Sequence, residues 1–128
     1  EISQSFADKT NARRYYTDFC QTHDYRHSRL HYDICNYPLG DFHSVAFSAM
    51  QFILWTNPAK IYLVGCDCTT NGYFNGNGTN FLPDDIVDEW RKLKEFALRY
   101  YPETKIISIN PVGLKGLFDD LYTPLEKD

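Results

Sequence analysis

No run of apolar residues in this 128-residue chain approaches the roughly 18 needed to cross a bilayer as a helix, so no transmembrane segment is expected. Basic residues are not in excess: 13 Lys and Arg stand against 17 Asp and Glu, a formal net charge of −4. Nonspecific nucleic-acid binding runs on phosphate neutralisation, so no nucleic-acid partner is expected. The basic side chains concentrate only at Arg13, Arg14, Arg26 and Arg29 with His27, which reads as a local surface. No signal-peptide pattern is visible. Glu1 rather than Met opens the chain, which leaves a mature form and a piece of something larger both open.

Cysteine is sparse. Of Cys20, Cys35, Cys66 and Cys68, only the last two are close together, and the matching second pair of a zinc site is absent. Reduced thiols in a cytoplasmic protein are the expected state. Cys66-Asp67-Cys68 also lacks the paired carboxylates of metal-dependent sugar transfer, so neither metal nor cofactor is expected. Histidine is absent after His43; the four are His23, His27, His31 and His43. No internal repeat or low-complexity segment occurs.

Aromatic residues are plentiful, 16% with ten Tyr and nine Phe. Tyr offers an apolar face and a polar tip, which suits a sugar or nucleotide surface as well as half-buried packing. The length fits a single domain, 1–128, with Thr123–Asp128 as a frayed tail.

The segment His43–Tyr73 carries the most information. Ser44–Trp55 is apolar at helical spacing, with Asp41 or His43 as its cap and Asn57-Pro58 as its stop. Ile61–Gly65 is an unbroken apolar run, which predicts a strand buried on both faces, as in a parallel sheet. It ends in Cys66-Asp67-Cys68, and Thr69–Asn80 is almost wholly polar, Gly or aromatic. Ligands of open α/β sheets sit beyond the carboxyl ends of the strands, which points to Asp67 and the loop after it.

Around this segment, Thr10–Thr22 reads as a helix and Leu30–Cys35 as a strand. Pro83–Tyr101 reads as a second strong helix, with Ile86, Val87, Trp90, Leu93, Phe96, Ala97 and Tyr100 on one stripe. Lys105–Ile109 reads as a buried strand, Asn110-Pro111 as its exit and Leu114–Leu121 as a short helix. The expected fold is α/β: a Rossmann-like parallel sheet of three strands flanked by helices. Three strands are few for such a sheet, so the chain is expected to be part of a larger domain or to borrow a partner, a second copy of itself included.

The pattern Ser44-Val45-Ala46, Ala49-Met50-Gln51, then Lys60-Ile61-Tyr62-Leu63-Val64-Gly65-Cys66-Asp67 resembles the bacterial lipooligosaccharide sialyltransferases and the related flagellin and capsule glycosyltransferases. The likeness runs on through Asn71-Gly72-Tyr73-Phe74, the Trp90–Tyr101 segment and Ile107–Pro111. It covers about residues 30–122, the C-terminal half of such an enzyme. It implies a glycosyltransferase, or a fragment of one, moving a sugar from a sugar nucleotide to a surface glycan acceptor in polysaccharide biosynthesis. The implied location is the cytoplasm, at the periphery of the inner membrane. Ser44, Gly65 and Tyr73 match positions that line the family's sugar-nucleotide site, and a loop Tyr of the family falls here at Thr69. The family's catalytic His beyond the loop and its Gly-rich phosphate motif have no counterpart in this sequence.

The residues themselves suit these roles. A helix start at Ser44 offers free N–H groups to a phosphate. Gly65 permits close backbone approach. Tyr73 can donate to a phosphate oxygen, and the loop with Asn71, Asn75, Asn77 and Asn80 can order over a donor. Asp67 or His43 is the candidate base for an acceptor hydroxyl. The alternative expectation is a non-catalytic α/β module that binds a nucleotide or sugar, or serves assembly.

Overall fold

The computed structural model describes residues 17–18, 29–40, 42, 44–69 and 83–124. The chain divides into two compact units, Glu1–Gln51 and Phe52–Asp128.

In the first unit, β1 (Thr17–Asp18) and β2 (Leu39–Gly40) pair in parallel, Thr17 opposite Leu39. The expected helix over Thr10–Thr22 is thus replaced at Thr17–Asp18 by strand; its other residues lie outside the described ones. The expected strand Leu30–Cys35 is instead a turn, and Asp33 is the cause. Its carboxylate accepts from the Cys35 N–H at 3.2 Å and the Asn36 amide at 2.7 Å, while its carbonyl accepts from the Tyr37 N–H at 3.1 Å. An Asp that satisfies the backbone locally outcompetes a ladder. The turn brings the His31 and Tyr37 rings into a stack with centroids 5.0 Å apart. Ile34, Leu39, Phe42, Phe47 and Met50 are buried, and Phe42 meets Phe47 at 5.5 Å.

Helix α1 (Val45–Trp55) starts at Ser44, whose hydroxyl accepts from the Ala46 N–H at 3.3 Å and whose carbonyl accepts from Phe47 N–H at 3.0 Å. Ser44 is therefore the cap, in place of the expected Asp41 or His43, both outside the described residues. The helix ends as expected at Asn57, which takes a left-handed φ of 50° and donates to the Leu54 carbonyl at 2.8 Å.

In the second unit, β3 (Lys60–Leu63), β4 (Lys105–Ile109) and β5 (Asp119–Leu121) form a parallel sheet in that order. Ile61 lies opposite Ile106, and Ser108 lies opposite Asp120. Helix α2 (Pro83–Tyr100) connects β3 to β4 and buries Trp90, Leu93, Phe96 and Ala97 of the expected stripe; Ile86 and Val87 are half-buried, and Tyr100, at the helix end, is exposed. Each large apolar side chain so buried contributes about 1.5–3 kcal/mol. Pro102 follows directly and stops the helix. The Thr104 hydroxyl donates to the Pro58 carbonyl at 2.7 Å and Lys105 N–H to the Ala59 carbonyl at 3.0 Å, fixing the β3–β4 register.

Two expectations are corrected here. The run Ile61–Gly65 is not buried on both faces: Ile61 and Leu63 are 6% exposed, but Tyr62 is 53% and Val64 73%. Strand alternation puts the first pair on the core side and the second pair on the other. The expected helix Leu114–Leu121 is a series of turns followed by β5. Gly116 takes a φ of 75° and its N–H donates to the Asp120 carboxylate at 3.0 Å, which interrupts any helix. The third strand is therefore β5 rather than Leu30–Cys35, and the fold is a small α/β arrangement with a parallel sheet.

Candidate functional site

The carboxyl ends of β3 and β4 lead into two loops of the second unit that touch. The first, Val64–Thr69, carries Gly65 at φ 69° and Cys68 at φ 49°. The second, Asn110–Gly113, begins with Asn110 at φ 47°. A non-glycine residue in the left-handed region costs about 1–2 kcal/mol, and such strain clusters where a loop must present something. The Gly113 N–H donates to the Asp67 carbonyl at 2.8 Å and locks the loops together.

Asp67 is exposed between these constraints. Its carboxylate faces solvent at the sheet edge where α/β proteins hold ligands. Among the described residues, a Cβ placed at Gly65 meets no atom within 4 Å. Glycine is favoured at that position by its torsion rather than by crowding from the described residues, and its backbone carries no side chain to keep a ligand off.

The two flanking thiols are held protonated. Burial pushes Cys66 up from its ordinary range, and the Asp67 carboxylate adds to the effect. Cys68 is pushed from 9.0 up to about 11, first by burial and then by the charges of Cys66 and Asp67. A hydrogen bond with the Trp90 side chain works the other way, since a donor favours the thiolate. Trp90 is 2% exposed and meets Phe118 edge to face at 6.0 Å. Protonated thiols are poor nucleophiles and poor metal ligands. Among the described residues, no three His, Cys, Asp or Glu side chains gather to hold a metal ion.

The expected site residues are distributed as follows. Gly65, Asp67 and Thr69 share the loop after β3. Ser44 heads α1 in the first unit, where its hydroxyl is engaged by the helix it caps. His43, Asn71 and Tyr73 lie outside the described residues.

The group Asn110-Pro111-Val112-Gly113, which in the sequence follows a strand end beside the expected cleft, lies at this edge. Asn110 donates its backbone N–H to the Leu121 carbonyl at 2.9 Å, and its side chain pairs with Thr123 at 2.9 and 3.0 Å. A separate open groove of about 240 Å³ lies at the other end of β4, lined by Lys94, Leu98, Thr104, Lys105, Phe118 and Asp119. The Lys94 ammonium donates there to the Leu117 carbonyl.

Comparison with protein-family models, with curated proteins and with solved structures returned no match. Among the described residues, no helix is long and apolar enough to cross a membrane.

Proposed function

We propose that this chain is a glycosyltransferase, or a portion of one, that takes a sugar nucleotide at the carboxyl edge of its sheet and passes the sugar to a glycan acceptor. The supporting observation is the placement of Asp67: an exposed carboxylate between left-handed Gly65 and Cys68, tied from below by Gly113. The resemblance of the Lys60–Asp67 stretch to bacterial glycosyltransferases supports the same reading.

In an inverting transfer, the acceptor oxygen forms a bond to the anomeric carbon as the bond to the donor phosphate breaks. The electron pair leaves on the phosphate, and the acceptor proton goes to a base. Asp67 takes that role here. It can also hold a sugar or ribose hydroxyl, and the exposed backbone at Gly65 suits close contact with a diphosphate. The protonated thiols on either side add no negative charge near the phosphate.

The test is nucleotide release from CMP- and UDP-sugars in the presence of a glycan acceptor. Asp67→Asn is expected to slow release by about 100-fold or more, the usual loss for a general base. Turnover of Asp67→Asn at the wild-type rate would contradict the role. Binding of nucleotide without any turnover favours the non-catalytic module instead.

A further inference from the structure

Gly113 is pressed against the loop that carries Asp67. A Cβ at this position would stand 2.3 Å from the Cys68 carbonyl oxygen, 2.7 Å from that of Asp67 and 3.0 Å from the Cys68 carbonyl carbon. All three are backbone atoms, which cannot swing aside as a side chain can. Gly113 does not lie in the left-handed region, unlike Gly65 and Gly116. Its torsion would suit any residue, so space alone demands glycine.

The other end of the same loop is tethered. Asn110 hydrogen-bonds through its backbone to Leu121 and through its side chain to Thr123. The Asn110–Gly113 loop is thus fixed to β5 on one side and bears on the Asp67–Cys68 peptide on the other. The Gly113 N–H bond of 2.8 Å to the Asp67 carbonyl sets the height of that peptide above the sheet edge.

We propose that Gly113 is a positioning residue for the nucleotide site, seating the Asp67–Cys68 peptide on its bare backbone and so fixing where the Asp67 carboxylate stands. The inference rests on the carboxyl edge being that site. Gly113→Ala must push the peptide outward by the better part of an ångström to relieve the contact. Displacements of that size move a reacting group out of line, with losses that reach 100-fold.

The test compares wild type, Gly113→Ala and Gly116→Ala. Gly116→Ala is the control, because it strains a left-handed turn with no atom near its Cβ and so costs stability without touching Asp67. Three readouts are taken: amide resonances of Asp67 to Thr69, the rate of Cys68 modification by an aromatic disulfide reagent, and the dissociation constants of CMP and UDP. Gly113→Ala is expected to shift the amides, speed the thiol reaction and weaken nucleotide binding, the last two on the order of tenfold. Gly116→Ala is expected to leave all three near wild type. Asn110→Gly, which keeps the left-handed torsion and the backbone bond to Leu121 but loses both side-chain bonds to Thr123, is expected to act in the same direction as Gly113→Ala and serves if the latter does not fold.

Wild-type amide positions and thiol rate in Gly113→Ala would overturn the inference with or without nucleotide. Nucleotide binding that Gly113→Ala leaves intact would overturn it too. A wild-type protein that binds neither CMP nor UDP, with amides and thiol responding as expected, would defeat the nucleotide-site reading and leave the seating role of Gly113 standing.

Discussion

The carboxamide of Gln51 holds both backbone groups of Gly40. Its Oε1 accepts from the Gly40 N–H at 3.0 Å, and its Nε2 donates to the Gly40 carbonyl at 2.8 Å. Gln51 is 1% exposed, so a helix side chain serves β2 as a neighbouring strand would. The Nε2 group also donates to the Phe47 carbonyl at 3.0 Å, and the Ser48 hydroxyl adds a bond of 3.4 Å to the Gly40 carbonyl.

Gln51→Leu keeps the volume and removes the carboxamide bonds, leaving the Gly40 carbonyl only the Ser48 hydroxyl. Leaving a buried donor or acceptor unpaired costs about 1–3 kcal/mol. Urea denaturation is expected to show a loss of about 1–3 kcal/mol, since the Gly40 N–H loses its carboxamide partner and the carbonyl keeps only the Ser48 hydroxyl. A loss below about 0.5 kcal/mol would show that Gly40 finds other partners, as a surface position would.

Trp90 gives the second prediction. It is buried at 2% exposure against Phe118, on the apolar stripe of α2. Trp90→Ala should cost about 3–5 kcal/mol, as for other buried aromatics. A cost under about 1 kcal/mol would place Trp90 outside the core.

The sheet itself separates two kinds of burial. Leu63→Ala, on the buried face of β3, should cost about 2–5 kcal/mol. Tyr62→Ser, one residue away on the exposed face, should stay within about 1 kcal/mol. Equal and large losses at both positions would restore the two-faced burial that the apolar run suggests.

Cys68 supplies a pH dependence with a definite sign. Its folded pKa of about 11 lies above the ordinary 9.0, because burial disfavours the thiolate. Below pH 9 both the folded and unfolded chains hold the proton, and its contribution to stability is complete. As pH rises through 9 toward 11 the unfolded chain deprotonates first, so stability falls across that window. Cys68→Ser should flatten this part of the curve. In a background with Cys20 and Cys35 replaced and Cys66 retained, the iodoacetamide rate at Cys68, followed by peptide mapping, should climb with a midpoint near 11 rather than 9. A midpoint at or below 9 would show an exposed thiol.

Much of this architecture is legible in the residue order. Helices α1 and α2 follow from three-and-four spacing bounded by Ser44 and Asn57, and by Pro83 and Pro102. Strands β3 and β4 follow from short β-branched runs. The failures have specific causes. Leu30–Cys35 alternates like a strand, but the Asp33 carboxylate closes a turn that alternation does not register. Asp119-Asp120-Leu121 offers no apolar run, yet pairs with β4 through backbone alone. In the site, Asp67 and Gly65 are readable from the strand end. Gly113 is not, because its role is a clash with a loop 45 positions earlier that only the fold brings near.

The carboxyl edge as a nucleotide site is tested most directly by titrating ¹⁵N-labelled protein with CMP and UDP. The account predicts that the amides of Gly65, Asp67, Cys68, Thr69, Val112 and Gly113 shift together and saturate with one dissociation constant, while those of Lys94, Leu98 and Lys105 around the distant groove stay in place. Shifts confined to that groove, or none at millimolar nucleotide, would contradict it.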